Sequence, residues 1–271
     1  MDPRALLASP LGFLIGLSLG ALGGGGSILA VPVLVYVAGQ SPKEATATSL
    51  VLVAITALIG IVPHWRAGRV RVGPGLLFAL AGVGGNVLGS AWNESVDPDV
   101  LLLAFSAVML VAAWAMWRKT AKAPAVAPSA VGAAVAPPPA RTHIHLGVAV
   151  VVRVVLLGSA VGLLTGFFGV GGGFVIVPAL VLAMGFTMPE AVGTSLLVIA
   201  VNSLVALASR LDSGLVDWGA VLPFAVASIA GVLVGARLAG RYDDRALTRW
   251  FVALLVAVAL YTAVDSLAAL L

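Results

Sequence analysis

Long apolar stretches, separated by short polar segments, run through almost the whole chain. Most of them approach the ~20 residues that an α-helix needs to cross the ~30 Å hydrocarbon core of a bilayer. They lack the alternation of apolar and polar positions that marks a membrane β-barrel, so the pattern predicts an all-α polytopic membrane protein. The stretches are Leu11–Val37, Ala45–Val62, Val72–Trp92, Val100–Trp117, Leu146–Phe186, Ala191–Ala208, Trp218–Leu238 and Trp250–Leu267.

The apolar pattern occurs twice. The segment GLSLGALGGGGSILAVPVL begins at Gly16, and GLLTGFFGVGGGFVIVPAL begins 146 residues later at Gly162. Chance similarity would not keep glycines, prolines and a Thr-Ser pair in register over more than 70 residues, as this offset does. We therefore predict two homologous repeats, residues 1–118 and 146–271. The Ala/Pro-rich segment 119–145 between them cannot build a core and is predicted to be a flexible cytoplasmic linker.

Glycines interrupt the first apolar run of each repeat. The first tract is Gly23-Gly24-Gly25-Gly26, and the second is Gly169-Val170-Gly171-Gly172-Gly173. Helices of ~12 residues on either side of such a break reach only ~18 Å, which is too short to cross a bilayer. Each repeat is therefore predicted to contain a glycine-broken, re-entrant helix pair followed by three transmembrane helices.

The basic residues favour inverted repeats. With three crossings per repeat, an odd number, the second repeat is inverted and twelve of the fifteen Lys and Arg residues share one side. Four crossings per repeat would make the repeats parallel and divide the same residues ten against five. Because Lys and Arg are enriched in cytoplasmic loops, we predict inverted repeats with a cytoplasmic linker and periplasmic termini.

Composition and charge remove several classes of function. The chain is 61% hydrophobic, its mean hydropathy is +1.14, and 10% of its residues are charged, against about 25% in soluble proteins. The isoelectric point near 10.0 could indicate a nucleic-acid partner. The basic residues lie in short loops between spans, however, so no nucleic acid is predicted. Without cysteine, and without a Ser-His-Asp, HExxH or paired-carboxylate array, neither an enzyme nor a cofactor or metal site is predicted.

The interrupted helices indicate an anion site. A half-helix that starts inside the membrane can direct free N–H groups and the positive end of its dipole at a bound anion. Hydroxyls of the following span and an intramembrane amide could donate further hydrogen bonds. The alternatives are close helix packing for the glycines, bonding to their own helix for the hydroxyls, and interhelical contacts for Asn86 and Asn202. The candidate substrate-binding residues are Gly24, Gly25, Gly26, Ser27, Thr48, Ser49, Gly171, Gly172, Gly173, Thr194, Ser195 and Asn202.

The doubled motif resembles a known family. A G-xxx-G-xx-G-x-GG…P-x-L tract, followed in each copy by E-A-x-x-T-S and a later G-xxx-G, is similar to the sulfite exporter TauE/SafE family. The resemblance implies a secondary transporter of the bacterial inner membrane that exports a small sulfur-containing anion, such as sulfite or an organosulfonate like sulfoacetate. Its implied partners are that anion and the lipid bilayer, and homo-oligomerisation stays open.

Two alternatives to a transporter use the same features. An anion channel would need the same hydrogen-bond donors, and a membrane receptor or scaffold would bind the anion without moving it. The repeats also differ within the tracts, at Gly24 against Val170 and Ser27 against Gly173. The two half-sites therefore need not be equivalent.

Overall fold

The computed structural model describes residues 9–93, 98–122, 148–168, 173–208 and 218–270. These residues form helices joined by short turns, with no strand among them, which confirms the predicted all-α class. The short helix Gly173–Pro178 continues directly into a π-helical turn, Ala179–Ala183. In chain order the helices are α1 (Ser9–Leu22), α2 (Gly25–Tyr36), α3 (Pro42–Arg66), α4 (Val72–Asn93), α5 (Pro98–Lys122), α6 (Val148–Phe168), α7 (Gly173–Pro178), α8 (Met188–Ala208), α9 (Trp218–Arg241) and α10 (Asp244–Leu270).

Six of these helices are long and apolar enough to cross a membrane, namely α3, α4, α6, α8, α9 and α10. Large apolar side chains such as Leu80, Leu156 and Val226 are about two-thirds exposed. An outward-facing apolar surface of this kind is typical of a protein whose solvent is lipid. The fold is therefore that of a multi-pass membrane protein.

The first glycine tract turns the chain back on itself. Helix α1 ends where the Gly23 N–H donates to the Leu19 carbonyl at 2.8 Å, and Gly23 has φ of +74°, which disfavours a residue with a Cβ. Helix α2 starts two residues later, and Gly26 lies against Ile15 and Leu19. In one continuous helix, residues 15 and 26 would be about 16 Å apart. Helix α2 therefore doubles back along α1.

The second interrupted segment has different helix lengths. Helices α1 and α2 have 14 and 12 residues, close to the length predicted, but α6 has 21. Nothing in the apolar sequence from Val148 ends α6 before the second glycine tract, whose residues 169–172 lie outside the described part. Helix α5 continues four residues into the segment predicted to be linker, and residues 123–147 are not described either.

Corresponding positions of the two halves have similar local structure. Helices α3 and α8 begin 146 residues apart, at Pro42 and Met188. Gly39 and Gly185, also 146 residues apart, precede them with φ of +71° and +72°. Each of the two helices starts with a Glu that accepts the N–H of the residue three positions earlier, Glu44 from Ser41 and Glu190 from Thr187.

Helices of the first half pack closely against helices of the second half. Helix α1 runs parallel to α9, with Gly16 against the Ser228 carbonyl and Gly20 against that of Val232. Helix α4 runs parallel to α6 in the same manner, with Gly162 against Gly82 and Gly166 against Asn86. Glycines let helix backbones approach this closely in a membrane, where packing replaces the hydrophobic effect as the force that joins helices.

Two further pairs of helices pack antiparallel. In α5 and α10, the Ser106 and Thr262 hydroxyls are hydrogen-bonded at 2.7 Å. Farther along, Thr120 lies beside the start of α10, where it shares a small cavity with Thr248. In α3 and α8, Gly60 lies near Leu196, and His64, one turn later, lies near Gly193. In each of these two pairs, a helix therefore meets its counterpart from the other half head to tail.

Candidate functional site

A cavity of about 320 Å³ lies between α2, α3, α4, α6 and α8. Three of its lining residues were candidates from the sequence: Ser27, Ser49 and Asn202. Two others, Val87 and Ser90, are exposed, so the cavity reaches the surface of the described protein. The complete lining is Ser27, Val31, Thr46, Ser49, Leu50, Val53, Val83, Asn86, Val87, Ser90, Thr165, Gly166, Asn202, Ser203, Val205 and Ala206.

Polar side chains without a charge supply half of this lining. Eight of the sixteen residues carry a hydroxyl or an amide, and none carries an ionisable group. Several hydroxyls donate to carbonyls of their own helix: Ser49 to Thr46 at 2.8 Å and Thr165 to Val161 at 2.7 Å. The buried Asn202 Oδ1 has no hydrogen-bond partner. An unpaired amide group in an apolar interior is costly, and a bound ligand or water would remove that cost.

The start of α2 contributes a helix N-terminus to the cavity. Ser27 is the third residue of α2, and its hydroxyl donates to the Gly24 carbonyl at 2.9 Å. The first N–H groups of a helix have no partner within it, and together they carry the positive end of the helix dipole. The sequence predicted such a half-helix end at an anion site, and Ser27 is the residue of this tract that lines the cavity.

The glycines of the first tract contact protein. A Cβ at Gly24 would overlap the Gly173 carbonyl, so the two interrupted segments meet backbone to backbone. A Cβ at Gly25 would meet the Leu254 Cδ2 at 2.5 Å and the Ser18 Oγ at 2.8 Å, and Gly26 lies against α1. These neighbours fit the packing alternative for Gly24, Gly25, Gly26 and Gly173, whereas Gly171 and Gly172 lie outside the described residues.

Three candidate hydroxyls lie away from the cavity. Thr48 is fully buried and is not part of the lining. Ser195 donates to the Val192 carbonyl at 2.8 Å and lies against Gly23, and Thr194 accepts the Arg71 N–H at 3.1 Å. Neighbouring residues of a helix point about 100° apart, so one member of a Thr-Ser pair can face the cavity while the other faces protein, as Ser49 and Thr48 do.

An ion pair joins the two halves at the end of the bundle that lies away from the cavity. The Arg71 guanidinium, just before α4, donates to the Glu190 carboxylate in the first turn of α8, with Nε at 3.1 Å from Oε1. Lys119 donates to the Val181 carbonyl at 2.5 Å, and the Met188 N–H donates to Asp244. We call this end, formed by 64–71, 117–120, 187–194 and 240–249, the basic end.

The cavity lies far from this end on every helix that can be compared. On α8, Glu190 and Asn202 are 12 residues apart, which is about 18 Å of helix. On α3 the cavity residues lie in the first half and His64 in the last turn, and α4 shows the reverse order because it runs back. The structure is thus open at one end and closed by polar contacts at the other.

His64 is a buried residue at the basic end that the sequence did not single out. Its side chain is 1% exposed, and Nε2 lies 3.0 Å from the Gly20 carbonyl in the last turns of α1. A carbonyl only accepts, so Nε2 carries a proton. The contact fastens the end of α3 to the interrupted helix.

The sequence also missed Thr46, Ser90, Thr165 and Ser203 of the cavity. One signal could have found them, because each has an apolar residue 146 positions away: Val192, Ala236, Leu19 and Ala57. Polar residues that only one half carries are therefore better markers of this cavity than polar residues that both halves share.

Comparison with known proteins places the chain in a family. A profile of the sulfite exporter TauE/SafE family matches residues 8–262. A "Probable membrane transporter protein" of Xylella fastidiosa is 37% identical over 257 residues, which cover 92% of this chain and 91% of that protein. The "Probable membrane transporter protein YunE" of Bacillus subtilis is 26% identical over 261 residues, 91% of this chain and 89% of that protein.

No solved structure matches the chain. The family profile nevertheless spans nearly all of it, and the relative at 37% identity is matched over almost its full length. These matches confirm the resemblance carried by the doubled glycine motif. The chain belongs to the sulfite exporter TauE/SafE family of membrane transporters.

Proposed function

We propose that this protein is a secondary transporter that exports a small sulfur-containing anion, such as sulfite or an organosulfonate like sulfoacetate, across the bacterial inner membrane. The observation that carries the proposal is the cavity of about 320 Å³ with eight hydroxyl- or amide-bearing side chains inside an otherwise apolar bundle. Buried polar groups in a membrane are costly, and a cluster of them around a cavity is best explained by a ligand. An oxyanion accepts hydrogen bonds from amide N–H groups, and from hydroxyls once their O–H turns away from the carbonyl of their own helix.

The binding site in this proposal is centred on side chains and on the start of α2. Ser27, Ser49 and Asn202 remain from the site predicted by the sequence, and Thr46 and Ser203 join them. The glycine tracts serve the site indirectly, because they end α1 and allow α2 to begin at the cavity. Donors from several side chains must converge, since a single helix end contributes only about 0.3–2 kcal/mol.

Inverted repeats are the second part of the proposal. It is supported by the head-to-tail contacts of α3 with α8 and of α5 with α10, because parallel repeats would bring counterparts together in the same direction. The fold-back of α2 supports a re-entrant first pair. In inverted-repeat transporters the substrate site lies at the repeat interface, and access alternates as one part rocks against the other.

The orientation in the membrane follows from charge. We place the basic end in the cytoplasm. Among the described residues it carries Arg66, Arg69, Arg71, Arg118, Lys119, Arg241, Arg245 and Arg249. The cavity then opens towards the periplasm, with both termini on that side and the linker in the cytoplasm. Single cysteines test this arrangement, because the chain has none of its own. Labelling of Lys122→Cys by an impermeant reagent from the periplasm would overturn it.

Transport is tested with purified protein in liposomes. We expect accumulation of labelled sulfite or sulfonate and faster uptake when unlabelled substrate is present on the opposite side. Indifference to the opposite-side substrate would indicate a channel, and binding without accumulation would indicate a receptor. The closure of the basic end by Arg71 and Glu190 favours a carrier over a continuously open pore. Two matched variants on α8 test whether the cavity carries the activity. Loss of uptake in Asn202→Leu, inside the cavity, with normal uptake in Leu204→Ala, outside it, would assign the activity to the cavity.

A further inference from the structure

The cavity combines many hydrogen-bond donors and acceptors with a complete lack of charge. None of its sixteen lining residues is Asp, Glu, His, Lys or Arg. On α4 and α6 the described basic residues lie at the far ends, whereas Lys43 lies in the first turn of α3, three residues before Thr46. Arg71 precedes Val83, the first cavity residue of α4, by 12 residues, or about 18 Å of helix. An anion in contact with this lining therefore meets dipoles and no charged side chain among the sixteen residues.

Dipoles and full charges treat singly and doubly charged anions differently. The cost of moving an ion out of water grows with the square of its charge, so it is about four times larger for a dianion than for a monoanion of the same size. The attraction of neutral dipoles grows only linearly with that charge. The start of α2, at Ser27, adds roughly half an elementary charge, which can offset a large part of one negative charge and little of two.

Size and apolar lining add a second criterion. At about 30 Å³ per water, 320 Å³ holds about ten waters, far more than a four- or five-atom oxyanion fills. Half of the lining carries no polar side-chain group, including Val31, Leu50, Val53 and Val83. An apolar group on the anion would bury its surface against these residues and gain binding free energy that a bare oxyanion cannot.

Resting on the proposed function, we propose that the cavity selects singly charged anions with a small apolar group over doubly charged oxyanions. Within the sulfur-containing class this favours alkanesulfonates and hydrogensulfite over sulfate, sulfite and sulfoacetate, each of which carries two charges. Charge, and not the sulfur centre, is the property that the lining recognises.

The test compares ethanesulfonate with sulfate on the purified full-length protein at equal ionic strength. We expect ethanesulfonate to bind at least about ten-fold more tightly, a difference that titration calorimetry resolves easily. Equal or tighter binding of sulfate would overturn the inference and leave the proposed transporter standing. Binding and transport of neither anion, nor of sulfite, by correctly folded protein would overturn both.

A matched pair of variants tests whether the missing charge is the cause. Ser90 is exposed at the cavity rim, so a long side chain there can be accommodated. Ser90→Lys is expected to reduce the preference for ethanesulfonate by about ten-fold, because a cation near a dianion gains twice the attraction. Ser90→Gln, of similar length and neutral, should keep the preference. If both variants change the preference alike, size decides and the charge argument is wrong.

Discussion

The cavity and the region that corresponds to it at the offset of 146 differ in polarity and packing. Asn202, Ser203, Asn86 and Ser90 line the cavity, and their counterparts are Thr56, Ala57, Val232 and Ala236. All four counterparts are buried, with at most 5% of their surface exposed. One half-site is therefore a polar cavity and the corresponding region is packed protein.

Corresponding residues of the two halves also differ in their ability to form an ion pair. Arg71 and Glu190 form an ion pair at the basic end, whereas their counterparts in sequence are Asp217 and Glu44. Two carboxylates cannot form such a bridge, so the Arg71–Glu190 ion pair has no equivalent between the corresponding residues. Corresponding residues of the two halves therefore form similar helices, while differences at a few positions leave a polar cavity in one region and a packed interior in the other.

The largest effect is expected where the two interrupted segments meet. A Cβ in Gly24→Ala would overlap the Gly173 carbonyl, and backbone on both sides cannot move without displacing α2 or α7. Overpacking of this kind costs about 1–3 kcal/mol, occasionally more, so we expect a clearly lower Tm and yield.

Gly25→Ala is the matched control for this substitution, because its Cβ would meet only the side-chain ends of Leu254 and Ser18, which can rotate away. Tm, measured for both variants with and without ethanesulfonate, distinguishes helix packing from anion binding as the role of the glycine tract. If Gly24→Ala had normal stability but lost anion binding, the glycine N–H groups would be donors to the substrate after all.

The second prediction concerns the Arg71–Glu190 ion pair. Arg71→Asp introduces the residue found at the corresponding position 217 and places two carboxylates together at the basic end. The pair is partly exposed, so its loss should shift the balance between closed and open forms by about 1–2 kcal/mol, roughly ten-fold or somewhat more in population. The measurement is the labelling rate of Ser195→Cys, which is fully buried in this structure.

We expect Ser195→Cys to be labelled from the cytoplasmic side about ten-fold faster in the Arg71→Asp background. Ser49→Cys, its counterpart in the cavity, should be labelled from the periplasmic side more slowly in that background. The charge exchange Arg71→Glu with Glu190→Arg should restore the original rates. An unchanged rate at position 195 would mean that the ion pair does not hold the basic end closed.

Helices and their interruptions could be predicted from sequence because length, hydropathy and glycine tracts are local properties. The cavity could be predicted only in part. Thr48 and Ser49 look alike in sequence, and in a helix surrounded by apolar protein or lipid no amphipathic pattern tells which one faces a ligand. Ser49 lines the cavity and Thr48 does not. The Arg71–Glu190 pair was missed because its partners are 119 residues apart and belong to different halves.

The smallest effect is expected from an exchange of residues between the cavity and the region that corresponds to it. Asn202→Thr replaces the cavity amide by the residue at position 56, and Thr56→Asn makes the reverse change. Loss of one hydrogen bond to the anion should weaken ethanesulfonate binding about ten-fold, since such bonds to charged groups contribute about 1.5–3 kcal/mol at most. Stability should change little, because the Asn202 Oδ1 has no partner in the protein.

Thr56→Asn should behave in the opposite way. Thr56 is 2% exposed and donates to the Leu52 carbonyl, so a larger amide there is buried without a partner and should lower Tm. It should not create a second binding site, because the neighbouring counterparts Val192, Val232 and Ala236 offer no side-chain donors. For the same reason, the double exchange should bind no better than Asn202→Thr alone. Recovery of binding in the double variant would show that the cavity and its counterpart region are interchangeable. A lower Tm with unchanged affinity in Asn202→Thr would make Asn202 an interhelical contact.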